Sequence, residues 1–177
     1  RQSLYTITSK CLLGLETVFS QEKPDLVLVH GDTSTTFSGA LAAFYQKIPV
    51  GHVEAGLRTW DRYSPFPEEM NRTLVGDLAK FHFCPTVSNR KNLAAEGIRD
   101  GVFVTGNTVI DALKTTVQET YRFRTELLNT LDYKGKQIIL VTCHRRENYG
   151  QPMTNIMQAL RRVAEDFPQV ELVYPVH

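Results

Sequence analysis

The sequence predicts an α/β protein built on parallel sheet covered by helices on both faces. Short, continuous apolar runs recur along the chain, segments with apolar residues three or four apart separate them, and each run ends in a cluster of polar residues able to do chemistry. Continuous apolar strands suit a sheet buried on both faces, and helical crossovers are what parallel pairing requires.

Leu4, Ile7, Cys11, Leu12, Leu15, Val18 and Phe19 recur at helical spacing, so residues 3–21 read as an amphipathic helix that Pro24 stops. The run 25–29 (DLVLV) is a strand, 33–46 a small-residue helix capped by threonine and serine, and 48–53 (IPVGHV) a second strand. The same rhythm gives a helix near 68–79, a strand at 81–84 (FHFC), a helix at 88–96, a strand at 102–105 (VFVT) and a helix from about 108 to 121. Residues 1–118 then form a first domain, and the polar stretch 119–136, ending in Lys-Gly-Lys, reads as an interdomain connection. Residues 137–177 begin a second unit with a strand at 137–141 (QIILV), a helix near 152–166 and a strand at 171–174 (ELVY).

At 177 residues the chain suits one domain or one and a half, which hints at a fragment. A formal net charge of +1 with 42% apolar and 22% charged residues gives no bulk attraction to nucleic acid or membrane. No apolar run approaches the roughly 20 residues of a membrane helix, and the polar start lacks a signal-peptide core, so a cytoplasmic location is expected. Cys11, Cys84 and Cys143 are scattered without C-x-x-C spacing, which argues for free thiols rather than disulfides or zinc.

The polar clusters follow the strands: His30-Gly-Asp-Thr, Glu54-Ala-Gly-Leu-Arg, Gly106-Asn-Thr, Thr142-Cys-His-Arg-Arg-Glu-Asn and Pro-Val-His177. In open α/β sheets ligands bind beyond the carboxyl ends of the strands, so the clusters mark a site, and two such edges facing each other would make a cleft. From His52 to Arg72 the chain packs four carboxylates and three arginines. Asp32, Glu54 and the Glu68-Glu69 pair could converge there, and crowded carboxylates raise one pKa enough for proton transfer near neutral pH. The alternative is an ion-pair network with Arg58, Arg62 and Arg72. A metal site from His30, Asp32, His52 and Glu54 ranks below a metal-free site, and no cofactor is expected. His144 with Arg145 suits a diphosphate, since guanidinium holds phosphate oxygens two at a time. Gly106-Asn107-Thr108 reads first as a helix cap, with Asn107 and Arg72 also candidates for substrate binding.

The runs VLVHGDT (27–33), PVGHVEAGLRT (49–59), YSPFPEEMNR (63–72), FVTGNTVIDAL (103–113), TCHRREN (142–148) and VYPVH (173–177) closely resemble the bacterial non-hydrolysing UDP-N-acetylglucosamine 2-epimerases. The resemblance spans essentially the whole chain. It implies a GT-B-like architecture of two Rossmann-like, doubly wound domains with a nucleotide sugar between them, and a homodimer. It places catalytic roles on Asp32, Glu54, Glu68 and His144, and leaves Glu69 structural. The implied reaction interconverts UDP-N-acetylglucosamine and UDP-N-acetylmannosamine by anti elimination of UDP and syn re-addition, supplying N-acetylmannosamine units for cell-surface polysaccharide. Arg145 and His177 match positions associated with allosteric UDP-N-acetylglucosamine in some members. The family's leading strand with its Gly-Thr-Arg-Pro-Glu loop and its later Asp-Ser-Gly-Gly segment are not among these residues, so the chain reads as the middle of such an enzyme. The rivals are a hydrolysing 2-epimerase, a GT-B glycosyltransferase and a catalytically silent nucleotide-sugar sensor, the last disfavoured because all three acids are present.

Overall fold

A computed structural model describes residues 2–145 and 148–176, which form two compact units, Arg1–Val117 and Gln118–His177. The first unit runs α1 (Leu4–Glu22), β1 (Val27–His30), α2 (Ser34–Tyr45), β2 (Val50–Val53), α3 (Glu68–Leu78), β3 (Phe81–Cys84), α4 (Val87–Ala95), β4 (Val102–Val104) and α5 (Thr108–Thr116). Its sheet is fully parallel in the order β1-β2-β3-β4. The second unit holds a one-turn α6 (Glu126–Asn129), β5 (Gln137–Leu140), α7 (Gln151–Asp166) and β6 (Val170–Val173), with β5 and β6 paired in parallel.

Local chemistry sets most helix ends. Ser3, Thr33, Thr86 and Asn107 each accept a backbone N–H from the first turn of the helix that follows, and Thr86 with Asn89 completes a reciprocal box. Helix α5 ends at Thr116, five residues short of the expected 121. Thr115 and Thr116 both donate their hydroxyls to the Ala112 carbonyl, and with Val117 they make a β-branched run that disfavours continuation. The polar stretch after α5 is itself ordered by a brace: Asn129 donates to the Phe123 carbonyl and accepts the Phe123 N–H, while Phe123 stacks on Tyr133.

One face of the first unit's sheet is covered. Register puts Val29, Val50, His52, His82 and Cys84 on that face, where all five are buried. Small residues of α2, including Gly39, Ala40, Ala42 and Ala43, let it pack closely between the sheet and its neighbours α1 and α3. Leu93 of α4 is fully enclosed with Ala55 and Cys84, and shortening it to alanine would cost about 3 kcal/mol. The opposite face carries Leu28, Gly51, Phe83 and Phe103, and Leu28 is 60% exposed. The strands are thus apolar on both sides, as a doubly wound sheet requires, and among the described residues the enclosed clusters lie on the first of these faces.

Candidate active site

Asp32 lies in the turn between β1 and α2, Glu54 directly after β2, and Glu68 on the first residue of α3. The turn is fixed from beneath. His52, on the buried face, donates from Nε2 to the Gly31 carbonyl across 2.8 Å, and Thr36 donates its hydroxyl to the His30 carbonyl across 2.7 Å. Burial, with the positive charges around it, drives the His52 pKa down to about 4, so the ring is neutral and Nε2 carries its proton.

The three acids gather around this turn. Glu54 adopts a left-handed backbone, φ +67°, which aims its carboxylate over Gly31: a β-carbon there would sit 3.4 Å from Oε2. Glu68 is close enough for its charge to raise the Asp32 pKa. Burial is the largest cause of that rise, Arg72 opposes it, and Glu68 and Glu69 add to it, leaving Asp32 above the usual carboxylate range. All three acids are partly exposed, so each keeps access to a ligand.

The arginines of the segment serve different partners. Arg72 donates from Nη1 to Asp32 Oδ2 across 3.2 Å and from Nε to Glu69 Oε2 across 2.8 Å, with its side chain only 9% exposed. Expected to contact substrate, it is positioned as an internal cation holding two carboxylates. Asn71 adds a hydrogen bond to the Asp32 carbonyl at 2.9 Å, so α3 grips this residue by both main chain and side chain. Arg58 is buried and bidentate with Glu96, through Nε at 2.8 Å and Nη2 at 2.6 Å. The ion-pair alternative thus describes Arg58 and Arg72, while Glu54 and Glu68 stay outside those two networks.

His30 and His52 cannot act as a pair. Strand alternation places them on opposite faces, with His30 lying 3.6 Å from Glu54 Oε2 and His52 turned toward the Gly31 carbonyl. Among the described residues no group of three or more histidine, cysteine or acidic side chains could hold a metal ion, and no helix is long and apolar enough to cross a membrane. Asn107 caps α5, its Oδ1 accepting the Val109 N–H. In the second unit His144 and Arg145 follow β5, and the His144 Nδ1 lies 3.3 Å from the Thr142 hydroxyl. Tyr174 fixes the same turn by donating to the Cys143 carbonyl across 2.7 Å. His177 lies outside the described residues.

Glu69, expected to be structural, is the hub of the buried network, although the sequence did not show which groups it holds. One signal was present: Glu69 and Arg72 stand three apart at the start of a helix, where such pairs meet.

Residues 1–177 match the family model described as UDP-N-acetylglucosamine 2-epimerase. The chain is 54% identical to the UDP-N-acetylglucosamine 2-epimerase of Bacillus subtilis, over all of its own length and 46% of that protein's. Among solved structures it matches S. aureus MnaA in complex with UDP at 53% identity and a TM-score of 0.92, over 100% of this chain and 48% of that one. It also matches the Neisseria meningitidis UDP-GlcNAc 2-epimerase bound to UDP-GlcNAc, at 46% identity and a TM-score of 0.88, over 99% of this chain and 49% of that one. The chain thus spans about half the length of the curated relatives it matches. Long motifs, GT-B-like α/β architecture and a family match over every residue agree, and the chain belongs to the UDP-N-acetylglucosamine 2-epimerase family.

Proposed function

We propose that the protein interconverts UDP-N-acetylglucosamine and UDP-N-acetylmannosamine without hydrolysis, in the cytoplasm, as a homodimer that supplies precursors for cell-surface polysaccharide. The observation that carries this reading is the gathering of Asp32, Glu54 and Glu68 around the turn after β1. The solved relatives that hold UDP and UDP-GlcNAc support the substrate class.

The chemistry explains the need for several acids. The C2 proton of the sugar is scarcely acidic, so its removal must accompany cleavage of the C1–oxygen bond. A carboxylate takes the proton, the C2–H electron pair becomes the C1–C2 double bond, and UDP departs anti with the bonding pair of its oxygen. The product is 2-acetamidoglucal. Returning a proton to C2 on the opposite face requires a second carboxyl group, and UDP oxygen re-adds to C1 in a syn sense. Glu54 and Glu68 serve the proton transfers, and Asp32 assists. Two acids with different surroundings suit this division, because one must be ionised while the other holds a proton.

His144 and Arg145 steady the diphosphate as charge develops on departing UDP, the histidine by one hydrogen bond and the guanidinium by two. Asn107 remains a substrate contact in this reading, through the part of its amide not used in capping. Arg72 acts on substrate only through Asp32. Arg145 and His177 also supply an allosteric UDP-N-acetylglucosamine subsite.

Phosphorus and carbon NMR of a reaction with UDP-N-acetylglucosamine tests the reading. A standing mixture of the two UDP-sugars without accumulating UDP is expected. Free N-acetylmannosamine formed in step with UDP would assign the hydrolysing reaction instead, and transfer of the sugar to an added acceptor would assign a transferase.

A further inference from the structure

Glu69 is 3% exposed and sits where three parts of the site meet. Its carboxylate accepts the N–H groups of Thr59 and Trp60 at 3.0 to 3.1 Å, and it receives the Arg72 guanidinium edge-on through Nε and Nη2. The remaining guanidinium nitrogen of Arg72 reaches Asp32. Without Glu69, Arg72 would have one carboxylate rather than two to define its plane, and the turn at Thr59 and Trp60 would lose its anchor.

That turn is itself constrained. Trp60 holds a left-handed backbone, φ +67°, and the Thr59 hydroxyl reaches the Ser64 carbonyl. The segment between Trp60 and Glu68 exposes Trp60, Tyr63 and Phe66 beside the acidic residues. One carboxylate therefore joins the start of α3, the approach to it and, through Arg72, the turn after β1.

We propose that Glu69 is a positioning residue for the epimerisation: by clamping Arg72 it fixes the direction from which Arg72 holds the Asp32 carboxylate, and it never touches the sugar. This rests on the functional reading above. A guanidinium fixed by a rigid second carboxylate offers Asp32 a donor at one place only, so Asp32 keeps one rotamer toward the substrate.

The test uses the full-length protein with Glu69→Gln, which keeps the shape and removes the charge, and Arg72→Lys, which keeps the charge but lacks the planar fork that fixes the direction of each carboxylate. Each single variant is expected to lose about 10- to 100-fold in kcat with KM within about threefold, the pattern of a misplaced group. Because the two act in series, the double variant should lose no more than the worse single one. Glu69→Asp, too short to hold both the Thr59 turn and Arg72 in place, should recover part of the loss. A second readout is independent of turnover: the carbon-13 titration of the Asp32 carboxyl should move to lower pH in Glu69→Gln, since a neighbouring negative charge is gone and Arg72 is left to Asp32 alone.

Multiplicative losses in the double variant, or wild-type kcat in Glu69→Gln, would overturn the proposal. An unmoved Asp32 titration would also overturn it, whatever the reaction. If Glu69→Gln does not fold, Arg72→Lys alone decides, with an unchanged kcat counting against. Absence of any C2 chemistry in the wild type, with the Asp32 titration moving as expected, would remove the functional reading and leave the clamp standing.

Discussion

The carboxylate of Glu54 lies directly over Gly31, so near that a β-carbon on the glycine would meet Oε2 at 3.4 Å. Gly31 also holds φ +74°, a conformation that L side chains resist. Gly31→Ala should therefore cost about 1 kcal/mol of stability from the backbone alone. The added methyl would only touch the Glu54 carboxylate, so kcat should fall by less than about tenfold. Denaturant unfolding and steady-state kinetics on the same sample check both effects.

Glu54 itself is in the left-handed region, φ +67°. Glycine relieves that strain, and the relief of about 1 kcal/mol is largely cancelled by the freedom glycine gains when unfolded. Glu54→Gly should leave stability within about 1 kcal/mol of wild type while turnover disappears. Loss of fold together with activity would mean that Glu54 is there for structure.

The Arg58 guanidinium is 1% exposed on its side chain and depends on Glu96 for two hydrogen bonds. Removing one partner of such a pair strands the other, so Glu96→Ala should destabilise by about 3 kcal/mol. Arg58→Met, which leaves no stranded charge inside, should cost less. Chemical denaturation of both variants would establish the order.

His52 and His82 are neighbours across β2 and β3, both buried and both held below the ordinary histidine pKa, chiefly by burial. A depressed histidine pKa means that the unfolded chain takes up protons first. Stability is then full above pH 6.5 and falls as pH drops toward 4, where His52 begins to protonate in the folded state. His52 alone should contribute about 3 kcal/mol to that fall. His52→Gln should flatten the pH dependence of unfolding in this window, and an unchanged slope would place the histidine's burial in doubt.

Glu69 sets a second, more acidic limit. Burial favours its neutral form, but hydrogen bonds from Thr59, Arg72 and Trp60 outweigh that and hold its pKa below the usual 4.5. The stability it adds is complete above 4.5 and is lost as pH falls through its lowered folded value. Glu69→Gln should remove this acid-side loss, which unfolding between pH 5 and 2.5 would reveal.

The strands were legible because their apolar runs are short and bounded by proline and glycine, and the acids were legible because Asp32 and Glu54 come just after strands and Glu68 opens the helix that follows. Asp32 comes from the junction between β1 and α2, and Glu54 and Glu68 from the two ends of the junction between β2 and α3; one parallel sheet brings such junctions to the same edge. The partners of the arginines were not legible. Glu96 lies 38 residues beyond Arg58, at the far end of α4, and no local spacing announces it. The opposite orientations of His30 and His52 could have been read from strand alternation, which alone removes the shared metal site. The shortened α5 was a local contest that helical periodicity does not register, since the threonine hydroxyls compete for the carbonyl that the next turn would use.

In the proposed reaction, the acids gathered at the turn after β1 move the C2 proton. The most direct measurement follows the C2 proton of UDP-N-acetylglucosamine by NMR in D2O, for the wild type and for Glu54→Gln and Glu68→Gln variants whose folding is verified by circular dichroism. Deuterium should enter C2 in both UDP-sugars with the wild type, and exchange should be lost in each variant. Wild-type exchange rates in either variant, or conversion by the wild type without any deuterium at C2, would show that these carboxylates do not carry the proton.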